Sequence, residues 1–398
     1  MSLLDTSRSI LAYRGDKPSR SARGFVAAEF FAGIGLVRVA LEHCGWRVAF
    51  ANDIDPDKLE IYELNFGRAD FHLGDIHEID VSNLPQCDLF TASFPCNDLS
   101  IAGSRSGLDG LQSSAFWGLI RILGNLGHRR PPIVMLENVV GFLQSHDGRD
   151  FEAALLALNK LGYTVDAFIL NAVHWTPQSR PRLFVVASVD DCHTGSQFAM
   201  ASDARPTRLA AFINLHRNIR WKIRTLPELP RPSSQLRDVI EDLPPDDPHW
   251  WPRDRAKYLF GQFSERHLTL AEKMLKQDTC QYATVFRRVR NGRSMAELRT
   301  DGIAGCLRTP RGGSGRQILF KAGNGRYQVR LLTARECARL QGAPDCYRVD
   351  GIPLNQALFG FGDAVCIPAV EWIVDNYLTP LAYQLSDCEK PTGIKCDA

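Results

Sequence analysis

Several short groups of residues in this 398-residue chain have the types and spacing of an active site. Gly33 and Gly35, Asp53, Cys96 and Glu137 each follow a short apolar run that predicts a strand. A cysteine thiolate is a nucleophile, and a carboxyl group on a neighbouring strand end can hold or transfer a proton during its attack. The pair favours covalent catalysis, although an inert thiol and a structural acid would explain each residue taken alone.

The turn with Gly33 and Gly35 lets a ligand approach the backbone closely at the start of a helix. Asp53 lies 20 residues beyond Gly33, the spacing at which a carboxylate reaches ribose hydroxyls. Arg38 stands where the dinucleotide fingerprint has its third glycine, which favours a nucleoside without a pyrophosphate. On the two glycines alone, a tight turn without a ligand remains an alternative.

A further group, Gln178, Arg180 and Arg182, precedes the predicted strand 183–189. Residues two apart in an extended chain share a face, so these three side chains are predicted to point together. Two fixed cations facing an acidic site suit a phosphate, a carbonyl oxygen or a thiolate. A surface ion-pair network is an equally good reading of this motif alone.

The elements that must position these groups alternate between strand and helix through residues 25–190, which predicts an open, mostly parallel α/β sheet covered on both faces. Ligands bind beyond the carboxyl ends of such strands, so the groups should share one edge, with Asp75 and Pro95 beside them. No Cys/His cluster has zinc spacing, which predicts no metal. No apolar run approaches the length of a membrane span, and residues 1–24 have no secretion-signal core.

Residues 191–330 lose this regular pattern and carry 25 Lys and Arg against 14 Asp and Glu, while the rest of the chain carries 22 against 31. A basic segment attached to an acidic body indicates a polyanion-binding module, with a chance fluctuation of surface charge as the alternative. The predicted organisation is a flexible tail (1–24), a catalytic domain in two parts (25–190 and 331–385), a small irregular recognition domain (191–330) and a second tail (386–398).

Taken in order, the motifs resemble the DNA (cytosine-5) methyltransferase family over about residues 25–378. The matching segments are EFFAGIGL (29–36), NDID (52–55), GDI (74–76), PCNDLS (95–100), ENV (137–139), QSRPR (178–182), RLLTARECARLQGAPD (330–345) and GDAV (362–365). The basic segment falls where the family has its target-recognition domain. The resemblance implies a Rossmann-like methyltransferase domain that uses S-adenosylmethionine and releases S-adenosylhomocysteine.

By this resemblance, Asp53 contacts the ribose of the donor, and Asp75 and Ile76 flank its adenine. The full set of implied donor-binding residues is Phe31, Gly33, Gly35, Asp53, Ile54, Asp75, Ile76, Pro95 and Asp363.

The resemblance also implies that the Cys96 thiolate attacks C6 of a cytosine flipped out of the duplex, which makes C5 able to accept the methyl group. Glu137 would hold or protonate N3, Arg182 would contact O2, and Arg180 would lie near the Cys96 loop as a further catalytic residue. The residues expected to contact DNA are Gln178, Arg308, Arg311 and Arg316.

The expected activity is that of a DNA (cytosine-5-)-methyltransferase, acting as a cytoplasmic monomer on double-stranded DNA, with no membrane association. A cognate restriction endonuclease is a candidate partner. The alternatives are a tRNA methyltransferase of the same fold and a DNA-binding relic without activity. The chain departs from the family at Asn97, where Gln is usual, at Asp363, where Asn is common, and at Ala115, where a larger apolar residue often packs on adenine.

Overall fold

The computed structural model describes residues 24–95, 114–189, 195–290, 292–309 and 315–388. The expectations placed on Cys96, Asn97 and Arg311, and on most of both predicted tails, lie outside these residues.

A seven-stranded sheet forms the centre of the larger part of the protein, with the strand order β3-β2-β1-β4-β5-β7-β6. Its first five strands run parallel, and β7 runs antiparallel between β5 and β6. The strands are β1 (Val26–Phe30), β2 (Arg47–Asp53), β3 (Phe71–Leu73), β4 (Leu89–Ala92), β5 (Ile133–Val139), β6 (Tyr163–Asn171) and β7 (Pro181–Val189). The predicted mostly parallel α/β sheet is confirmed.

Helices cover both faces of this sheet because both sides of its strands are apolar. The neighbouring residues Ala27 and Ala28 of β1 belong to two different hydrophobic cores, one on each face. The α-helices described up to residue 215 are α1 (Leu36–His43), α2 (Pro56–Phe66), α3 (Ser114–Asn125), α4 (Arg149–Lys160) and α5 (Thr207–Leu215). Residues up to Ile223 still pack on this sheet, since Trp221 pairs with Val165 of β6.

A second sheet, which the irregular sequence pattern did not predict, lies within the basic segment. Its four strands are all antiparallel, in the order β11-β10-β8-β9. The elements are α6 (Arg253–Phe260), α7 (Glu265–Leu275), β8 (Gln281–Arg290), β9 (Arg293–Arg299), β10 (Ile318–Gly323) and β11 (Arg326–Leu331). The two helices share a separate hydrophobic core with this sheet.

The chain then returns to the large sheet through α8 (Ala334–Leu340), α9 (Leu354–Asp363), α10 (Ile367–Ile373) and α11 (Thr379–Cys388). Thr333 caps α8, and Glu336 reciprocates by accepting a hydrogen bond from the Thr333 backbone. The stretch Leu354–Asp387 is long and apolar enough to cross a membrane by composition, because an 18-residue window within it has a mean hydropathy of 1.6. Of that window 67% is buried, and the stretch shares a core with β1 and α1, as core helices of a globular domain do.

Candidate active site

The carboxyl ends of β1 and β2 meet through the carboxylate of Asp53. Its Oδ2 accepts a hydrogen bond from the Gly33 backbone at 2.8 Å, and its Oδ1 accepts one from Asp55 at 3.0 Å. Gly33 and Gly35 both have positive φ angles, and a Cβ on Gly35 would lie 2.5 Å from the Phe66 ring. The turn therefore requires glycine, and α1 begins beyond it without a side-chain cap.

This edge fits a nucleoside with a charged tail. Asp53 is buried yet each of its oxygens can accept a further hydrogen bond, and Ile54 beside it is 65% exposed, an apolar surface on the rim. The residues predicted to flank adenine are tied into the same edge: Asp75 accepts a hydrogen bond from the His77 backbone, and Ile76 packs against Gly118 of α3. These features fit S-adenosylmethionine.

The other members of the predicted donor set lie at the same edge or close it. Phe31 continues β1 with a positive φ of 56°, and Pro95 is exposed at the end of the segment after β4. Ala115, the departure from the family noted above, is half-buried at the start of α3. Asp363, at the end of α9, forms an ion pair with Lys58 of α2. The C-terminal part of the chain thus reaches the β1–α1 turn.

Glu137 and Arg182 form an ion pair on the neighbouring strands β5 and β7, with 3.0 Å between Nε of Arg182 and Oε1 of Glu137. Burial raises the pKa of the Glu137 carboxyl, against the opposing charges of Arg182 and Arg180 and a hydrogen bond from Ser93. A carboxyl of this kind holds its proton more readily than an exposed one, which suits a group that must hydrogen bond to a ring nitrogen or protonate it.

A hydrogen bond and ring packing hold the segment that leads to Cys96 beside the Glu137–Arg182 pair. Asn138 of β5 donates a hydrogen bond to the Phe94 carbonyl at 3.4 Å, and the Phe94 ring packs among Phe116 and Phe142. Cys96 itself lies outside the described residues, two positions beyond Phe94. The strand end that carries Glu137 therefore also fixes the chain at Pro95, immediately before the predicted nucleophile.

The structure places the Arg180 side chain among backbone carbonyls, which differs from the catalytic position that the resemblance implied. Its buried guanidinium donates hydrogen bonds to the carbonyls of Leu307 at 2.8 Å and Gly362 at 2.9 Å, and to that of Ala364. It joins the segment at Leu307 to the GDAV motif (362–365). These three hydrogen bonds give Arg180 a positioning role between the two segments.

Gln178 also needs correction as an expected DNA contact. Its side chain is 0% exposed; it donates to the Leu340 carbonyl and accepts from the Leu307 backbone. The prediction assumed an extended strand through residue 178, but β7 begins at Pro181. Gln178 and Arg180 therefore both point towards Leu307, and Arg182 alone of the three meets Glu137.

Of the arginines expected to contact DNA, Arg308 is exposed and Arg316 is half-buried. Between them and the ion pair lies Cys306, whose Sγ is 3.3 Å from Nη1 of Arg180. Burial opposes ionisation of the Cys306 thiol, but Arg180, Arg182 and Arg308 together outweigh it and lower its pKa. No sequence pattern marks this thiol, because only the fold brings residue 306 to the arginines.

Comparison with known proteins connects this geometry to a family. Residues 25–378 match the C-5 cytosine-specific DNA methylase family. The chain is 28% identical over 362 residues to the Type II methyltransferase M.HhaI of Haemophilus parahaemolyticus, an alignment that covers 89% of this chain and 95% of that protein. It is 27% identical over 356 residues to M.HaeII of Haemophilus aegyptius, covering 89% of this chain and 92% of that one.

Solved structures share the fold. The Dnmt2 methyltransferase of S. pombe superimposes with a TM-score of 0.62 at 20% identity, over 90% of this chain and 99% of that one. A DNA modification methyltransferase encoded within an E. coli prophage gives a TM-score of 0.56 at 17% identity, over 91% of this chain and all of that one. With the family matched across most of its length, the chain belongs to the C-5 cytosine-specific DNA methylases.

Proposed function

We propose that this protein transfers the methyl group of S-adenosylmethionine to C5 of a cytosine flipped out of a specific double-stranded DNA sequence, through a covalent bond between Cys96 and C6. The observation that carries the proposal is the Glu137–Arg182 pair, fixed on strands next to the segment that delivers Cys96. One ring nitrogen and one ring carbonyl of a pyrimidine match a carboxyl and a guanidinium held side by side.

In this proposal, Glu137 holds N3 of the base and supplies its proton as Cys96 bonds to C6, so that no full negative charge builds up in the ring. Arg182 donates to O2. When the donor is bound, its methyl group is the electrophile that C5 takes up. Loss of the C5 proton to solvent water, return of the N3 proton to Glu137 and departure of the Cys96 sulfur from C6 then restore the ring, the carboxyl and the thiolate.

Duplex DNA is the preferred substrate because the chain carries a separate basic module. Arg287 and Arg288 lie on β8, and Arg293 begins β9 across the hairpin. Cations along one antiparallel hairpin suit contact with the phosphates that border a groove of the duplex. Arg308 and Arg316 lie between this sheet and the active-site edge. The Type II names of the relatives support a role in restriction–modification. The proposal also includes an endonuclease as partner and the chain acting as a cytoplasmic monomer.

Bisulfite sequencing of DNA from cells that express the chain tests this function. We expect protected cytosines at one recurring sequence, and none in cells that express the Cys96→Ser variant at the same level. Unprotected DNA from cells with the intact chain would contradict the proposal. Purified protein given labelled donor with duplex DNA and with tRNA separates the two substrate classes, and label in tRNA alone would favour the RNA alternative.

A further inference from the structure

Arg180 is a buried cation that forms no ion pair with a carboxylate among the described residues. The residue is 1% exposed, and its guanidinium donates hydrogen bonds to the neutral backbone carbonyls of Leu307, Gly362 and Ala364. Its Nε is buried without a hydrogen-bond partner in the described part of the chain. A buried guanidinium is costly unless an anion lies beside it, so its surroundings favour a negative charge.

The sulfur of Cys306 is the ionisable acceptor that this guanidinium meets. Sγ lies 3.3 Å from Nη1 of Arg180 and also accepts a hydrogen bond from Arg182. Sγ is 3.3 Å from the Leu307 carbonyl as well, but Arg180 already donates to that oxygen at 2.8 Å, so the thiol proton is not needed there. Burial would raise the pKa of the thiol, yet Arg180, Arg182 and Arg308 lower it.

The thiol is also accessible, and it lies next to the proposed site of chemistry. Cys306 is half-buried, and Arg308, two positions further along the chain, is exposed. Arg182, which donates to the Cys306 sulfur, forms the ion pair with Glu137 at 3.0 Å. A group bonded to Sγ would therefore lie beside this pair.

We propose that Cys306 is a thiol-modification site, at which exchange with an anionic low-molecular-weight disulfide blocks the Glu137–Arg182 edge. The Cys306 sulfur attacks one sulfur of the disulfide, a new S–S bond forms as the old one breaks, and the other half leaves as a thiolate. The Cys306 sulfur is oxidised and the leaving sulfur is reduced, so the disulfide is the only oxidant required. The arginines favour a disulfide that carries carboxylates. The blocking effect rests on the function proposed above, whereas the modification does not.

Oxidised glutathione, which carries carboxylates on both halves, is the probe for this site. The full chain is used as the Cys96→Ser variant, so that the proposed nucleophile cannot compete for the probe. After short exposures and an acid quench, peptide mass spectrometry gives the labelling rate at each cysteine. We expect Cys306 to be labelled at least about tenfold faster than the exposed Cys280, because the thiolate fraction outweighs exposure.

The charge of the probe separates the effect of the arginines from simple access. Cystamine, a cationic disulfide, should label Cys306 more slowly than oxidised glutathione does, and Arg308→Ala should reduce this preference about threefold. Arg208→Ala, at an exposed position of α5, should leave the preference unchanged. Labelling of Cys280 as fast as that of Cys306, or the absence of a preference for the anionic probe, would overturn the modification site.

Fluorescence anisotropy with duplex DNA that contains the methylated sequence tests the blocking effect. Glutathione on Cys306 of the Cys96→Ser chain should weaken DNA binding at least about tenfold, because it adds carboxylates to a surface for phosphates, and dithiothreitol should restore it. The same treatment of Cys96→Ser/Cys306→Ser should leave binding unchanged. Should this double variant fail to fold, the reversal by dithiothreitol is the control.

Unchanged DNA binding by a chain fully labelled at Cys306 would overturn the blocking effect. Failure of the unlabelled Cys96→Ser chain to bind any duplex would contradict the proposed function instead. The order of labelling between Cys306 and Cys280 would still decide whether the modification site exists.

Discussion

The large sheet and the four-stranded sheet β8–β11, the proposed recognition sheet, handle charge in opposite ways. At the edge of the large sheet, Asp53 and Glu137 are buried and each is held by a hydrogen bond or a cation. In the recognition sheet, Arg288 is half-exposed, paired with Glu297 at 3.5 Å. A buried charge has a position and a pKa set by its neighbours, whereas an exposed one is mobile and screened by salt. The buried, fixed charges of the large sheet suit catalysis. The exposed cations of the four-stranded sheet suit the binding of a polyanion.

The comparison predicts the largest effect at Glu137. Glu137→Gln keeps the shape but removes the proton, so we expect the single-turnover methylation rate to fall about 10²- to 10⁴-fold. Because burial raises the pKa of Glu137, the rate of the unaltered enzyme should decline as pH rises through that pKa, and the variant should lack this decline. DNA affinity, measured by fluorescence anisotropy, should change little. A variant with a normal rate would remove Glu137 from the chemistry.

The second prediction compares Arg180 and Arg182, two arginines of the QSRPR motif. Arg180→Met leaves buried carbonyls of both regions without their donor, and we expect the free energy of unfolding to fall by about 3 kcal/mol. Arg182→Met should lower the free energy of unfolding by about 1 kcal/mol. For the same loss of stability, it should reduce the methylation rate more than Arg180→Met does. Urea unfolding followed by circular dichroism gives the first quantity. Equal losses of stability would mean that the two arginines share one role.

A third prediction concerns Glu29, buried in β1. Burial raises its pKa from 4.5 to about 8, and one of its oxygens has no partner among the described residues. The unfolded chain releases this proton near its ordinary pKa while the folded chain keeps it, so this contribution to stability is lost as pH rises from about 4.5 to 8.

Glu29→Gln removes this titration. Relative to the unaltered chain, we expect the variant to gain about 3.5 kcal/mol in free energy of unfolding between pH 5 and pH 8, measured by urea unfolding. Glu78→Gln, at an exposed position, is the control for replacing a carboxyl group with an amide. A parallel pH dependence of the Glu29 variant and the unaltered chain would show that Glu29 is ionised in the fold.

The smallest effect is expected in the recognition region. Arg308→Ala should weaken DNA binding about tenfold at low salt and make the slope of log K against log salt shallower by about 1 if the contact is to a phosphate. Arg316→Ala gives the second position, and Arg208→Ala, at an exposed position of α5, serves as the control. An unchanged slope together with unchanged target choice would remove this part of the chain from the DNA interface.

The difference between the two regions also explains how much the sequence could predict. Strands β1, β2, β4 and β5 are apolar runs buried on both faces, so their positions and the shared edge followed from the pattern. In β8, small residues such as Ala283 and Val285 form the inner face and arginines occupy the outer end, which hides the strand. The pairings of Lys58 with Asp363 and of Arg180 with Leu307 join distant segments, which no local pattern reports.

The central claim is that Cys96 bonds to C6 of a cytosine at the Glu137–Arg182 edge. Duplex DNA with 5-fluorocytosine at the methylated position tests it most directly, because fluorine cannot leave C5 as the proton does, and the sulfur then stays attached to C6. With the donor present, intact-mass spectrometry should show the chain carrying one DNA strand, and Cys96→Ser should show none. A trapped complex in Cys96→Ser, or none in a chain that methylates the unmodified site, would contradict the account.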